Sequence, residues 1–87
     1  MLHKIFSVYD KKIGAFSSPF FNPHTGAALR GFTSEVNSSD PNSHIAKYYE
    51  DFDLYELGEF DDSTAAFNLY DIPKIVVNGH SVKNSVQ

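Results

Sequence analysis

The stretch from Phe52 to Tyr70 limits the possible folds more than any other part of the chain. Phe52-Asp53-Leu54-Tyr55-Glu56-Leu57-Gly58-Glu59-Phe60 is a run rich in aromatic and apolar residues and predicts the clearest extended strand of the chain. Phe52 and Leu54 fall on one face, Tyr55 and Leu57 on the other. Asp61-Asp62-Ser63-Thr64 then supplies turn residues, and Ala65 to Tyr70 returns with Phe67 and Leu69 on a common face. This pattern predicts a β-hairpin, and a hairpin needs further antiparallel strands or a helix to cover it.

The rest of the chain supplies them. Ile5-Phe6-Ser7-Val8-Tyr9 is a run of β-branched and aromatic residues and predicts a strand, with Phe6 and Val8 on one face and Ile5 and Tyr9 on the other. Asp10-Lys11-Lys12-Ile13-Gly14 reads as a turn into a second strand, Ala15 to Ser18, which Pro19 ends or confines to an edge. Phe20-Phe21-Asn22-Pro23 leads into a helix, with Asn22 or Thr25 as N-cap and an apolar stripe through Ala28 or Leu29, Phe32 and Val36. Asn37 to Ser43 is a loop, and His44 to Tyr49 predicts one helical turn capped by Ser43. After Pro73, Lys74 to Val77 predicts a last strand. Asn78-Gly79 is a tight-hairpin dipeptide that would return Val82 against it. Residues 83–87 read as a frayed tail. The expected fold is α+β: a small antiparallel sheet of four to five strands with one main helix on one face.

At 87 residues the chain predicts a single domain with a modest core. It has no cysteine, so disulfides and thiolate metal sites are excluded, and stability rests on packing, helped by self-association. Ile5 and Tyr9 are the candidates for a face covered by a second copy, which predicts a homodimer. No apolar run reaches the roughly 20 residues of a membrane span, so the expectation is a soluble cytoplasmic protein without membrane contact. The formal net charge is −4 and uneven: residues 1–49 carry +2 and residues 50–87 carry −6. A protein that neutralises many phosphates is usually basic, so nucleic-acid binding here calls for a local patch in the first half.

Catalytic and metal signatures are missing. His3, His24, His44 and His80 show no zinc spacing. A calcium loop starting at Asp51 would need Gly and Glu where Glu56 and Asp62 stand. There is no phosphate loop or nucleophile elbow, so the expectation is no enzyme, no metal and no cofactor.

Several stretches resemble the small non-structural protein of gokushoviruses, single-stranded DNA phages of the microvirus family. Lys4 to Asp10 resembles its first strand, Pro19-Phe20-Phe21-Asn22-Pro23 its aromatic-proline segment, Gly26 to Phe32 with Val36-Asn37 its helix, and Tyr49 to Asp62 its acidic strand. Tyr48-Tyr49 stands where that family more often has His-Pro. The resemblance spans residues 4–70. It implies a non-structural accessory protein in the host cytoplasm that binds DNA, single-stranded in preference, during viral DNA synthesis or the switch to packaging. It implies no enzymatic activity and no cofactor.

Two candidate surfaces follow. Lys4, Lys11, Lys12 and Arg30, with Tyr9, Phe20 and Phe21, supply the cations and stacking rings of a single-strand binder. Glu50, Asp53, Glu56 and Glu59 belong to an acidic stretch that would dock on a basic viral or host replication protein in an adaptor without DNA contact.

Overall fold

The structure, a computed structural model, describes residues 1–83. Five antiparallel strands form one curled sheet with a main helix against its inner face, so the α+β expectation holds. β1 (Leu2–Asp10) lies at the centre. One edge of it is shared by two short strands, β2 (Ala15–Phe16) at its C-terminal end and β3 (Phe20–Asn22) at its N-terminal end. The other edge pairs with β4 (Phe52–Asp61), and β4 pairs with β5 (Ala66–Asn78), which ends the sheet.

The β1–β2 turn forms as its residues predict. Gly14 takes φ of +71°, and the Asp10 side chain accepts from the Lys12 backbone N–H at 2.9 Å. Pro19 then separates β2 from β3, so Phe20-Phe21-Asn22 is itself a strand rather than a lead into the helix. Between them Ser17 covers the fully buried Ser7, whose hydroxyl donates to the Ser17 carbonyl at 2.7 Å. A buried hydroxyl needs such a partner.

The main helix, α1 (Thr25–Val36), buries Ala28, Phe32 and Val36 against Phe6, Val8 and Leu54 of the sheet. Each large apolar side chain buried in this core contributes roughly 1.5–3 kcal/mol. Neither predicted cap is used: the N-cap is His24, and it makes no side-chain cap bond. Thr25 is already helical, and its hydroxyl is taken by Glu56 of β4 at 2.9 Å. α2 (His44–Lys47) begins at Ser43, whose hydroxyl accepts from Ala46 N–H as expected. A 3₁₀ turn, Tyr49–Asp51, leads into β4.

The predicted tight hairpin at Asn78-Gly79 does not form. The Asn78 amide donates to Asp53 Oδ1 at 3.0 Å, and its backbone stays extended at φ −86°, ψ 147°. A type I′ turn needs positive φ there. Instead Gly79–Val82 makes one helical turn, α3, packed on the 3₁₀ turn, and Lys74 to Asn78 continues β5. A Cβ on Gly79 would run into the Tyr49 carbonyl oxygen and lie 2.8 Å from that of Phe52, so only glycine fits this approach. Of the predicted frayed tail, Lys83 lies with its ammonium 5.1 Å over the Tyr49 ring; residues 84–87 lie outside the described residues.

β4 contains an irregularity with large consequences. Ile5 pairs with Gly58 and Phe6 with Glu56, so Leu57 has no partner on β1. On the other side Gly58 pairs with Leu69 and Glu56 with Lys74, which leaves Tyr70-Asp71-Ile72-Pro73 unpaired opposite Leu57. Gly58 is required at this crossing: a Cβ would meet the Asn68 carbonyl oxygen and lie 2.7 Å from Leu69 Cα.

Candidate nucleic-acid interface

With Phe6 and Val8 turned to α1, alternation turns His3, Ile5, Ser7 and Tyr9 to the opposite, outer face of the sheet. Among the described residues no helix covers that face. The strand register brings aromatic side chains onto it in two groups. At the C-terminal end of β1, Tyr9, Phe16 and Tyr55 pack with ring centroids 4.7 Å (Tyr9–Phe16), 5.4 Å (Phe16–Tyr55) and 6.0 Å (Tyr9–Tyr55) apart. At its N-terminal end, Phe60 packs between Phe67 at 4.8 Å and Phe21 at 5.9 Å, with His3 at 6.3 Å. Phe16, Phe21 and Phe67 are exposed; Tyr9, Tyr55 and Phe60 are half-buried. From residue 3 to residue 9 the two groups span about 20 Å of strand. Leu69 and Ile75 extend the apolar surface onto β5.

Of the rings expected to stack on bases, Tyr9 and Phe21 lie on this face. Phe20 does not: it pairs with Phe6 and packs, half-buried, against the core, its ring centroid 6.0 Å from that of Phe6. Ile5, expected to meet a second copy, is buried between β3 and β4. Phe16, Tyr55, Phe60 and Phe67 complete the surface. The signal for them was the strand alternation itself, which sets Tyr55 opposite the core-facing Leu54.

The four expected cations do not converge. Lys4 faces inward, 3.4 Å from Glu56 and 3.6 Å from Glu59. Lys11 lies 3.5 Å from Asp53. Arg30 is exposed on α1, on the opposite side of the sheet from the rings, and has no ion pair among the described residues. Lys12 is exposed at the β1–β2 turn, beyond Tyr9 and Phe16, and is likewise without an ion pair among the described residues. It borders a cleft of about 540 Å³ with Asp10, Ile13, His44, Tyr48, Asp51 and Phe52. His44 stacks on the exposed Tyr48 at 6.1 Å, and Lys47 lies 5.6 Å over the same ring.

The acidic surface expected on β4 is corrected. Asp53 and Glu56 are each only 4% exposed and are held by contacts within the chain. Asp53 accepts from Asn78 and neighbours Lys11. Glu56 accepts from Thr25, Lys4 and the Tyr70 hydroxyl. Burial alone would raise the Glu56 pKa, but the hydrogen bonds from Tyr70, Thr25 and Lys4 outweigh it and hold the carboxyl below its ordinary range. The same contact, with burial and the nearby Glu56 and Glu59 charges, pushes Tyr70 up to about 12. Strict alternation would set Glu59 on the outer face with Asp53. The extra residue at Leu57 shifts it by one, onto the face of Glu56, where Lys4 stands between the two. Of the four acids only Glu50 is exposed.

Among the described residues no three His, Asp or Glu side chains gather into a metal-binding group, and no helix is long and apolar enough to cross a membrane.

Comparison with known proteins is consistent with a phage origin. The family model described as Phage ORF5 protein matches residues 3–82. Protein ORF5 of Chlamydia phage 1 is 33% identical over 64 residues, covering 71% of this chain and 67% of that protein. No solved structure matches. The chain therefore belongs to the Phage ORF5 family, in line with its resemblance to the small proteins of gokushoviruses.

Proposed function

We propose that this phage protein is a non-enzymatic accessory factor that binds single-stranded DNA along the outer face of its sheet, in the host cytoplasm, during viral DNA synthesis. The observation that carries this reading is the uncovered track of six rings, Tyr9, Phe16, Phe21, Tyr55, Phe60 and Phe67, in two groups along β1. Bases that stack on such platforms contribute about 1–3 kcal/mol each, and they do so in any sequence because every base has a π-face. A duplex keeps its bases stacked on one another and offers none of them to a flat sheet.

The charge distribution shapes the proposal. Lys4 and Lys11 are matched by acids, Arg30 is on the far side, and Lys12 is the cation beside the track. Stacking, not phosphate neutralisation, then supplies most of the affinity, and the dependence on salt is shallow. The adaptor alternative has less exposed acid to offer, because Asp53 and Glu56 are buried and held by partners within the chain.

Fluorescence anisotropy of labelled single- and double-stranded oligonucleotides tests this directly. The expected result is a preference for the single strand that changes little with salt and drops at least about tenfold in a Phe21→Ala/Phe67→Ala double variant. Equal affinity in that variant, or no binding by the native protein at low salt, would overturn the reading.

A further inference from the structure

We infer that the cleft between the β1–β2 turn and α2 binds a guanine base of an unpaired strand. The inference takes the source of that base from the single-strand reading, but it stands on residues outside the ring track.

The cleft is shaped by contacts that hold each part of its wall. Asp10 pairs with Phe52 across β1 and β4, and the Lys11 backbone N–H donates to the Asp51 carbonyl at 2.8 Å, which joins the β1–β2 turn to the 3₁₀ turn. The β1–β2 turn is closed by the Gly14 N–H on the Asp10 carbonyl at 2.8 Å, and α2 is started by its Ser43 cap. A site fixed in this way gives up little freedom when a ligand enters. Its volume, about 540 Å³, lies in the roughly 300–1,000 Å³ range of small-ligand pockets and accommodates one base with its sugar.

The lining carries three kinds of group that a base needs. Ile13, Tyr48 and Phe52 give an apolar and aromatic surface for a flat ring. Of the two acids, Asp10 already accepts from the Lys12 backbone N–H at 2.9 Å. The half-buried Asp51 carboxylate has no hydrogen bond or ion pair among the described residues, so it is an acceptor with no donor among them. The Lys12 ammonium, exposed on the turn, is a donor with no acceptor among them.

This set selects among the four bases. An ionised carboxylate only accepts, so its best match is two neighbouring N–H groups on one edge. Guanine alone presents them on its pairing edge, N1–H beside the N2 amino group, and its O6 and N7 are acceptors suited to an ammonium. Cytosine and adenine place a bare ring nitrogen beside the amino group, and thymine flanks its one N–H with carbonyls, so each turns a lone pair toward the acid. Reading an unstacked base by its pairing edge, between aromatic and apolar side chains, is how single bases are recognised once they leave a stack. A duplex has that edge occupied, so the cleft adds to the preference for the single strand.

The test compares labelled oligothymidine with the same strand carrying one central guanine or one central inosine, which lacks the N2 amino group. Anisotropy is measured on the native chain and on Asp51→Asn, with circular dichroism as the fold control. The native chain should bind the guanine strand about tenfold more tightly than the other two, and Asp51→Asn should lose that advantage while keeping its affinity for oligothymidine. Equal affinity of the native chain for the guanine and inosine strands overturns the inference, as does a folded Asp51→Asn that keeps the guanine preference. If no strand binds, the single-strand reading fails by itself, and an NMR chemical-shift titration with the free nucleotides reads the cleft alone. Shifts at the Lys12 and Asp51 amides with the guanine but not the inosine nucleotide would keep the guanine site, with a free nucleotide as its source. The lack of such shifts would overturn the site as well.

Discussion

The Tyr70 hydroxyl donates to the carboxylate of Glu56, tying the unpaired segment of β5 to a buried acid on β4. With Tyr70 pushed up to about 12 by that bond, its folded-state pKa lies above the ordinary value of 10.0. The group therefore stabilises the fold fully below that ordinary value, and its contribution is lost as the pH rises from there through about 12. Tyr70→Phe should lose about 1–3 kcal/mol at neutral pH, because Glu56 is left short of a donor. The difference between native and variant in denaturant titrations should then shrink over the same alkaline window. A difference that stays constant with pH would show that the hydroxyl is not the cause.

Glu56 titrates with the opposite sign. Its folded pKa is depressed below the ordinary 4.5, so its contribution is present above that value and is lost as the pH falls through the depressed one. Glu56→Gln should be less stable than the native chain at neutral pH by about 1–3 kcal/mol. The gap should narrow on acidification, and urea midpoints measured from neutral to strongly acid pH would show whether it does.

Two glycines should respond to alanine in opposite ways. Gly58→Ala forces a Cβ into the backbone of Asn68 and Leu69, and should destabilise by about 2–3 kcal/mol or more. Gly31 lies within α1, and a methyl group there would meet nothing within 4 Å, so Gly31→Ala should stabilise by up to about 1 kcal/mol. Thermal melts of the two single variants make the comparison.

Adjacent phenylalanines should separate folding from binding. Phe20→Ala removes a half-buried ring packed against the core and should cost about 2 kcal/mol of stability. Phe21→Ala removes an exposed ring, and should leave the melting temperature little changed while weakening single-strand binding. If both variants affect only stability, Phe21 has no place in a binding face.

Neighbouring lysines should separate likewise. Lys12→Glu alters an exposed charge and should reduce single-strand affinity severalfold with the fold intact. Lys11→Glu brings an acid to the neighbourhood of the buried Asp53, and should destabilise the fold as well. Chemical denaturation run beside anisotropy distinguishes the two effects.

The sheet and its helix were legible in the sequence because they depend on local periodicity. Ala28, Phe32 and Val36 at helical spacing, and Phe52 and Leu54 at strand spacing, point to the core they build. The candidate site was only half legible. Tyr9 and Phe21 could be named, but the grouping of Phe16, Tyr55, Phe60 and Phe67 depends on strand order, which residue patterns do not encode. Phe20 and Phe21 look alike until β3 fixes which of them faces α1. The acids were misplaced for a definite reason: strict alternation carries no sign of the extra residue at Leu57, and one residue reverses every face beyond it. The expected cap at Thr25 and the expected turn at Asn78 failed where a longer-range partner competed, Glu56 for Thr25 and Asp53 for Asn78.

The central position of β1 also bears on how the chain acquires its fold. Its long partner, β4, begins about forty residues after β1 ends, so the middle of the sheet closes only when that whole span has been gathered in. A nascent chain that has emerged as far as α1 holds the central strand and its two short companions, and nothing yet to pair with the opposite edge. Folding should therefore wait for β4 and proceed late, at the slower pace of non-local topologies.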